Sequence, residues 1–301
     1  ASPAQTACSL GTYQPSTGQS SCIDASAGYY VEDNSYTDIN YNSNSIDSGE
    51  GYTCVILDDG SVSCWGRNDY GQLGDGTNTN RNTPTQTSSL GTGRTAVSIS
   101  AGVQHTCAIL DDGTVSCWGR NLNGALGIGN NTDYNTPQLV DLGTGRTAVA
   151  ISAGDAYSCA ILDNGNVSCW GQGQHGKLGD GTTTDRYTPT PTSSLGNGRT
   201  AVAITAAASH ACAILDDGSV SCWGYGESGR LGDGTTTVRY TPTPTSSLGT
   251  GRTAVSISAA GATTCVILDD GSVSCWGENS HGSLGDGTTT DRYTPTPTSS
   301  L

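Results

Sequence analysis

The pattern of apolar and polar positions repeats along this chain. In Thr95-Ala96-Val97-Ser98-Ile99-Ser100 the two classes alternate, which predicts a half-buried strand. Cys107-Ala108-Ile109-Leu110 predicts a second strand and Thr114-Val115-Ser116-Cys117-Trp118 a third, joined by Asp111-Asp112-Gly113. A hairpin through that turn sets Cys107 opposite Cys117, Ala108 opposite Ser116 and Ile109 opposite Val115. It leaves a three-residue loop in which Gly113 can take the left-handed conformation. Pro137 to Val140 predicts a weaker fourth strand at an edge, where proline is tolerated. Both faces of the central hairpin are largely apolar, as expected of a sheet sandwiched between neighbours.

The same unit recurs five times. Cys54 and Cys64, Cys107 and Cys117, Cys159 and Cys169, Cys212 and Cys222, and Cys265 and Cys275 all read Cys-x9-Cys, and each pair is expected to form a disulfide within its own hairpin. The first cysteines are 53, 52, 53 and 53 residues apart. Leu90, Leu142, Leu195, Leu248 and Leu301 mark the same period. Residues 38–301 are therefore five repeats of four strands each. That predicts an all-β fold, a β-propeller of five ~53-residue blades. Trp65, Trp118, Trp170, Trp223 and Trp276 supply one large ring per blade. The chain has no Phe and no Met, so these rings and the Val, Ile and Leu positions must form the packing between blades. Residues 1–37 stand apart as a small segment closed by a disulfide between Cys8 and Cys22. An Asn/Ser/Tyr-rich linker, Asn34 to Ser48, grades into a poor first strand at Asn40 to Ile46.

Two stretches carry a resemblance. His105-Thr106-Cys107-Ala108-Ile109-Leu110-Asp111-Asp112-Gly113-Thr114-Val115-Ser116-Cys117-Trp118-Gly119 is one. Asn68-x-x-Gly71-Gln72-Leu73-Gly74-Asp75-Gly76 of the preceding copy is the other. Together they resemble the regulator-of-chromosome-condensation repeat family over residues 38–301. The resemblance implies a propeller, most often seven-bladed, where this chain shows five repeats. Cys8-Ser9-Leu10-Gly11-Thr12-Tyr13-Gln14-Pro15, running to Cys22, resembles the short cysteine-rich units of extracellular receptor-like stalks, which implies an extracellular neighbourhood.

Composition narrows the function. Twelve Lys and Arg scattered against 27 Asp and Glu give a net charge of −15, which excludes a sequence-independent grip on nucleic acid. No apolar run reaches the ~18 residues of a membrane span, so the chain is expected not to be membrane-embedded. With no Met, residue 1 is expected to be a processed or internal start. Zinc knuckles need cysteines two to four residues apart, and none occurs; the twelve cysteines read instead as disulfides, hence an oxidising compartment. The location expected is extracellular or cell-surface, in a prokaryote. Guanine-nucleotide exchange, which the resemblance implies for nuclear members, would leave these cysteines reduced and without purpose.

Reactive chemistry is sparse. His105 and His210 share a repeat position that Tyr52, Tyr157 and Thr263 fill elsewhere, which suits packing better than ligation. No Ser/His/Asp, Cys/His or His-Glu-x-x-His arrangement is legible, and pairing leaves no free thiol. The expectation is no enzyme, no catalytic residue and no cofactor, with Asp180 to Asp185 as a weak calcium alternative to an acidic turn. Arg94, Arg146, Arg199 and Arg252 read as a repeated structural ion pair. The repeats differ most after Trp-Gly. Asp69, Tyr70, Leu122, Gln174, His175, Tyr225, Glu227 and His281 are the candidate binding residues there. Asn130 and Asn166 fit N-glycosylation acceptors, and Thr188 to Ser194 with its later copies would accept O-glycans. Two functions fit. One is a structural or adhesive propeller that self-associates, such as a subunit of a surface filament. The other is a secreted binding or inhibitor protein that captures a protein partner through its loop face.

Overall fold

A computed structural model describes residues 12–13, 23–24 and 45–299 of the 301-residue chain. The chain divides into two compact units, residues 1–41 and 42–301. In the first, β1 (Thr12–Tyr13) pairs antiparallel with β2 (Ile23–Asp24). The disulfide expected between Cys8 and Cys22 and the boundary expected at 37/38 lie outside the described residues.

The second unit is five four-stranded antiparallel sheets, each a simple meander. Blade 1 is β3 (Ile46–Gly49), β4 (Tyr52–Ile56), β5 (Val62–Gly66) and β6 (Arg81–Gln86). Blade 2 is β7 (Ala96–Ala101), β8 (His105–Leu110), β9 (Val115–Gly119) and β10 (Tyr134–Val140). Blade 3 is β11 (Ala148–Ala153), β12 (Tyr157–Leu162), β13 (Val167–Gly171) and β14 (Arg186–Pro191). Blade 4 is β15 (Ala201–Ala206), β16 (His210–Leu215), β17 (Val220–Gly224) and β18 (Arg239–Pro244). Blade 5 is β19 (Ala254–Ala260), β20 (Thr263–Leu268), β21 (Val273–Gly277) and β22 (Arg292–Pro297). Three short 3-10 turns are the helical elements among the described residues. The first strand of blade 1 differs from expectation. It runs Ile46–Gly49, and the Asn40 to Asn44 stretch falls outside the described residues.

The hairpin register is the one the cysteines require. Cys54 lies directly opposite Cys64 in blade 1, and Cys107 opposite Cys117 in blade 2. Cys159 lies opposite Cys169 in blade 3, Cys212 opposite Cys222 in blade 4, and Cys265 opposite Cys275 in blade 5. All five pairs are bonded, with Cα atoms 4.0–4.1 Å apart across each disulfide. Directly opposed positions bring the side chains within bonding reach. Gly113 takes φ +78° at the turn. Each inner strand after the first carries a bulge near its start. Ala96 pairs with Leu110 and Ser98 with Ile109, so Val97 is turned out to solvent.

Blades pack face to face through the tryptophans. The indole N–H of Trp118 donates to the Gln72 carbonyl of the blade before it at 3.0 Å; Trp170, Trp223 and Trp276 do the same to Ala125, Lys177 and Arg230. All four rings are fully buried. Gly74 leaves the room for this approach, since a Cβ there would stand 2.7 Å from the Trp118 ring nitrogen. Inner strands add a second series of ties. The amide of Ala101 donates to Asp47, that of Ala153 to Ser100 Oγ, that of Ala206 to Ser152 Oγ and that of Ala259 to Thr205 Oγ1.

Among the described residues, each of the two end blades packs against one neighbouring blade. β3, β7, β11, β15 and β19 pack in sequence, and no comparable packing returns from β19 to β3. Trp65 is only half-buried, unlike its four equivalents. At the other end Ile267 is 44% exposed. The Ser283 carbonyl there receives no indole, and Ser258 no amide, among the described residues.

Candidate functional site

Topology sorts the loops onto two faces. The turns between first and second strands and the loops after Trp-Gly lie at one end of the blades. The Asp-rich hairpin turns and the Leu-Gly-x-Gly-Arg linkers lie at the other. The sites expected from sequence fall out accordingly.

Arg94, Arg146, Arg199 and Arg252 form the repeated pair. Each reaches the aspartate at the start of its own hairpin turn, Arg146 to Asp163 at 3.0 Å and Arg94 to Asp111 at 3.2 Å. A second pair is less legible in the sequence. Arg81, Arg186, Arg239 and Arg292 meet Asp75, Asp180, Asp233 and Asp286 at 2.6–2.7 Å, with those carboxylates almost fully buried. Asp180, considered for calcium, thus faces Arg186, and its other oxygen accepts from Thr182. Asp185 accepts from the Gly173 amide and from Asn123. In blade 2 both partners change together, to Ile128 and Tyr134, which pack on the Leu126–Trp170 cluster.

His105 and His210 are buried between blades. Ser158 Oγ donates to the Ala125 carbonyl and Thr264 Oγ1 to that of Arg230, so each hydroxyl accepts from a histidine Nε2–H at 2.8 Å. Burial, with Lys177 nearby for the first and Arg230 for the second, lowers the imidazoles to about 4 and about 3. Both rings are neutral struts. Among the described residues no group of three or more His, Cys, Asp or Glu is placed to hold a metal ion.

The variable loops after Trp-Gly converge on the other face. Tyr70 lies under the Arg120 guanidinium of the next blade, 4.5 Å from ring centroid to Cζ. His175 stacks on Tyr225 of the next blade with centroids 4.4 Å apart, and Arg230 covers the same Tyr225 at 5.0 Å. Leu122 stands out from this face, 45% exposed, and Gln174 is exposed beside His175. Glu227 holds the Tyr225 hydroxyl, raising its pKa. Asp69 is taken up by Arg67 at 2.6 Å. His281 sits apart in blade 5, bonded to Ser280. Six of the eight candidates, in blades 1 to 4, therefore belong to one neighbourhood with Asp69 at its rim.

Sequence reading missed the cations. The two repeated ion pairs account for eight of the twelve Lys and Arg, and the remaining four, Arg67, Arg120, Lys177 and Arg230, all sit in these loops. That subtraction was available from the repeat alignment. Lys177 is buried, donates to the Asp155 and Ala208 carbonyls and to Gln172 Oε1, and is lowered to about 8 by burial. Of the glycosylation acceptors, Asn166 is exposed, whereas the Asn130 side-chain oxygen accepts from Asn121 and the Thr132 amide.

Comparisons agree with this architecture. The model of the regulator of chromosome condensation (RCC1) repeat matches residues 59–109, 112–161, 164–214 and 217–268. A second model of the same repeat matches 44–72, 96–125, 148–177, 201–230 and 254–283. The ultraviolet-B receptor UVR8 of Arabidopsis thaliana is 34% identical over 252 residues, 83% of this chain and 56% of that protein. The E3 ubiquitin-protein ligase HERC2 of Homo sapiens is 34% identical over 254 residues, 83% of this chain and 5% of the ligase. This chain thus spans little more than half of one relative and a small part of the other. Human WBSCR16 shares the fold with TM-score 0.73 at 22% identity, over 85% of this chain and 66% of that one. Prp20p of Saccharomyces cerevisiae, whose structure was described with its binding to Gsp1p and histones, gives 0.56 at 17% identity, over 85% and 76%. Repeat motif, blade register and fold agree, and this chain belongs to the regulator of chromosome condensation (RCC1) repeat family.

Proposed function

We propose that this chain is a non-enzymatic, extracellular protein-binding propeller, a structural or adhesive unit of a prokaryotic cell surface. One observation carries the reading. Residues that repeat are spent on packing, ion pairs and disulfides, while those that vary gather on one face as stacked Tyr, Arg and His with Leu122 exposed. Tyr and Arg are the side chains that anchor protein interfaces. Prp20p supports the idea as a propeller of the same fold described with protein partners. The five described disulfides support an oxidising location, because a reducing cytosol would work against them. Alkylation of freshly harvested native cells followed by non-reducing peptide mapping tests the location. All five hairpin pairs are expected oxidised, and free thiols in most molecules overturn it.

Self-association into a surface filament is a second reading, favoured by the half-buried Trp65 at one end of the blade series and the uncovered Ile267 at the other. In this reading residues 1–37 link one subunit to the propeller of the next. Negative-stain microscopy of native material separates the alternatives: long polymers select the filament, dispersed particles a binding or inhibitor protein that captures one partner. Polymerisation of a chain lacking residues 1–37 as readily as the full chain removes that segment as the linker.

A further inference from the structure

We propose that the loop face across blades 1 to 4 is built for an acidic segment of a partner protein, with Arg120 and Arg230 receiving its carboxylates. The proposal rests on the protein-binding reading above and adds the chemistry of the partner. In a chain with 27 acids, nine of the twelve cations lie within 4 Å of a carboxylate. Among the described residues the three that do not are Arg120, Lys177 and Arg230, in three consecutive blades on one face. Each lies against a tyrosine ring instead: Tyr70, Tyr157 and Tyr225, at 4.5, 4.9 and 5.0 Å.

Their hydrogen bonds go to neutral groups. Arg120 gives one terminal nitrogen to Gln104 Oε1, and its Nε and Nη2 donors have no partner among the described residues. That side of a guanidinium is the fork that takes a carboxylate through two parallel bonds. Arg230, largely buried, donates to the Glu227 carbonyl and Ser209 Oγ, and its Nη2 has no partner among the described residues. Lys177 has all three donors engaged, so it contributes charge rather than contact. Stacking on tyrosine fixes the guanidinium planes before a partner arrives, which lowers the entropy lost on binding. Leu122 and the His175–Tyr225 pair offer apolar contact between the two arginines.

The neighbouring acids set the limits of the site. Asp155 lies across a small cleft from Arg120, and Glu227 and Glu278 both lie near Arg230. With the molecule at −15, a densely charged polyphosphate is repelled, whereas single carboxylates can reach each arginine separately. An acidic peptide interspersed with apolar residues fits; a nucleic acid does not.

Fluorescence anisotropy with the full chain tests this, using a labelled ten-residue peptide of alternating Glu and Leu, its Gln/Leu counterpart and a labelled oligothymidine. The Glu peptide is expected to bind at least tenfold more tightly than the Gln peptide and to weaken about tenfold between 50 and 500 mM salt. Arg120→Gln and Arg230→Gln are each expected to lose at least fivefold. Arg67→Gln, which removes a cation already paired with Asp69, should lose less than twofold. Equal binding of the two peptides, indifference to both arginine substitutions in variants of unchanged thermal stability, or tighter binding of the oligothymidine each overturns the proposal. Those failures remove the acidic partner alone. The protein-binding reading falls separately, if Leu122→Asp leaves cross-linking to surface proteins on native cells unchanged.

Discussion

Trp118 shows how much one side chain does in this fold. Its ring fills the gap between blades 1 and 2, and its N–H satisfies a buried carbonyl. Trp118→Ala leaves a cavity and removes one of the two hydrogen bonds to the Gln72 carbonyl, which keeps the one from Thr106 Oγ1, and is expected to cost about 3–5 kcal/mol. Trp65→Ala, at a half-buried ring with no described blade before it, should cost less than half of that in the same chemical-denaturation measurement. The buried histidines give a second expectation. Their folded pKa values, about 4 and about 3, lie below the unfolded 6.5, so between these values the unfolded chain binds more protons. The stability they contribute is fully present above pH 6.5 and is lost as pH falls toward 4 and then 3. The change is on the order of 3–5 kcal/mol for each ring. The midpoint of urea unfolding should fall over that window, and His105→Gln with His210→Gln should flatten the slope.

At the scale of the element, the hairpin is stapled where its strands directly oppose. Loop-entropy arguments assign about 2.5–3 kcal/mol to closing an ~11-residue loop. The double change Cys107→Ala with Cys117→Ala should cost at least that much by thermal or urea unfolding. Nine of the ten described disulfide cysteines are buried, whereas Cys265 on the open side of blade 5 is partly exposed. Under mild reduction of the folded protein, Cys265 and Cys275 should therefore be the first thiols to take up an alkylating label. The outer loop offers a double-mutant cycle. Ile128→Asp alone buries a carboxylate without its arginine, and Tyr134→Arg alone sets a partly exposed guanidinium without its carboxylate. The two together rebuild the pair of the other four blades, with an expected coupling of about 1–3 kcal/mol. Additive effects would show that the pair is not the unit of this loop.

Among the described residues the substantial contacts between blades run between sequence neighbours, so stability is close to a sum over four repeated interfaces. Blades 2, 3 and 4 are, among the described residues, covered on both faces, while blades 1 and 5 are covered on one. Hydrogen exchange should follow that order, slowest in β8, β12 and β16 and fastest in β3 and β19. Uniform protection across the five blades would mean that the end faces are covered in solution, which is the result expected of an end-to-end assembly.

Much of this is legible in the sequence. Period, blade count and hairpin register follow from local rules, because strand pairing and a directly opposed Cys pair depend on residues ten apart. Cys107 and Cys117 define their own turn. Arg94 and its copies could be read as an ion pair because they recur beside recurring aspartates. What could not be read lies between repeats. Nothing local in Trp118 says that its N–H will meet Gln72, 46 residues earlier, nor that Trp65 will lack such a partner. The bulge falls where Ala96 and Val97 put two apolar residues in a row, and nothing local says that Val97 is the one turned to solvent. The binding face was legible as a set of variable positions but not as a surface. Tyr70 with Arg120, and His175 with Tyr225, are neighbours only because the blades fan around one axis and bring successive loops side by side. Pairing along a strand is written in a period of two residues; contact between blades depends on the angle at which sheets stack, and that angle is set by the side chains of two repeats at once.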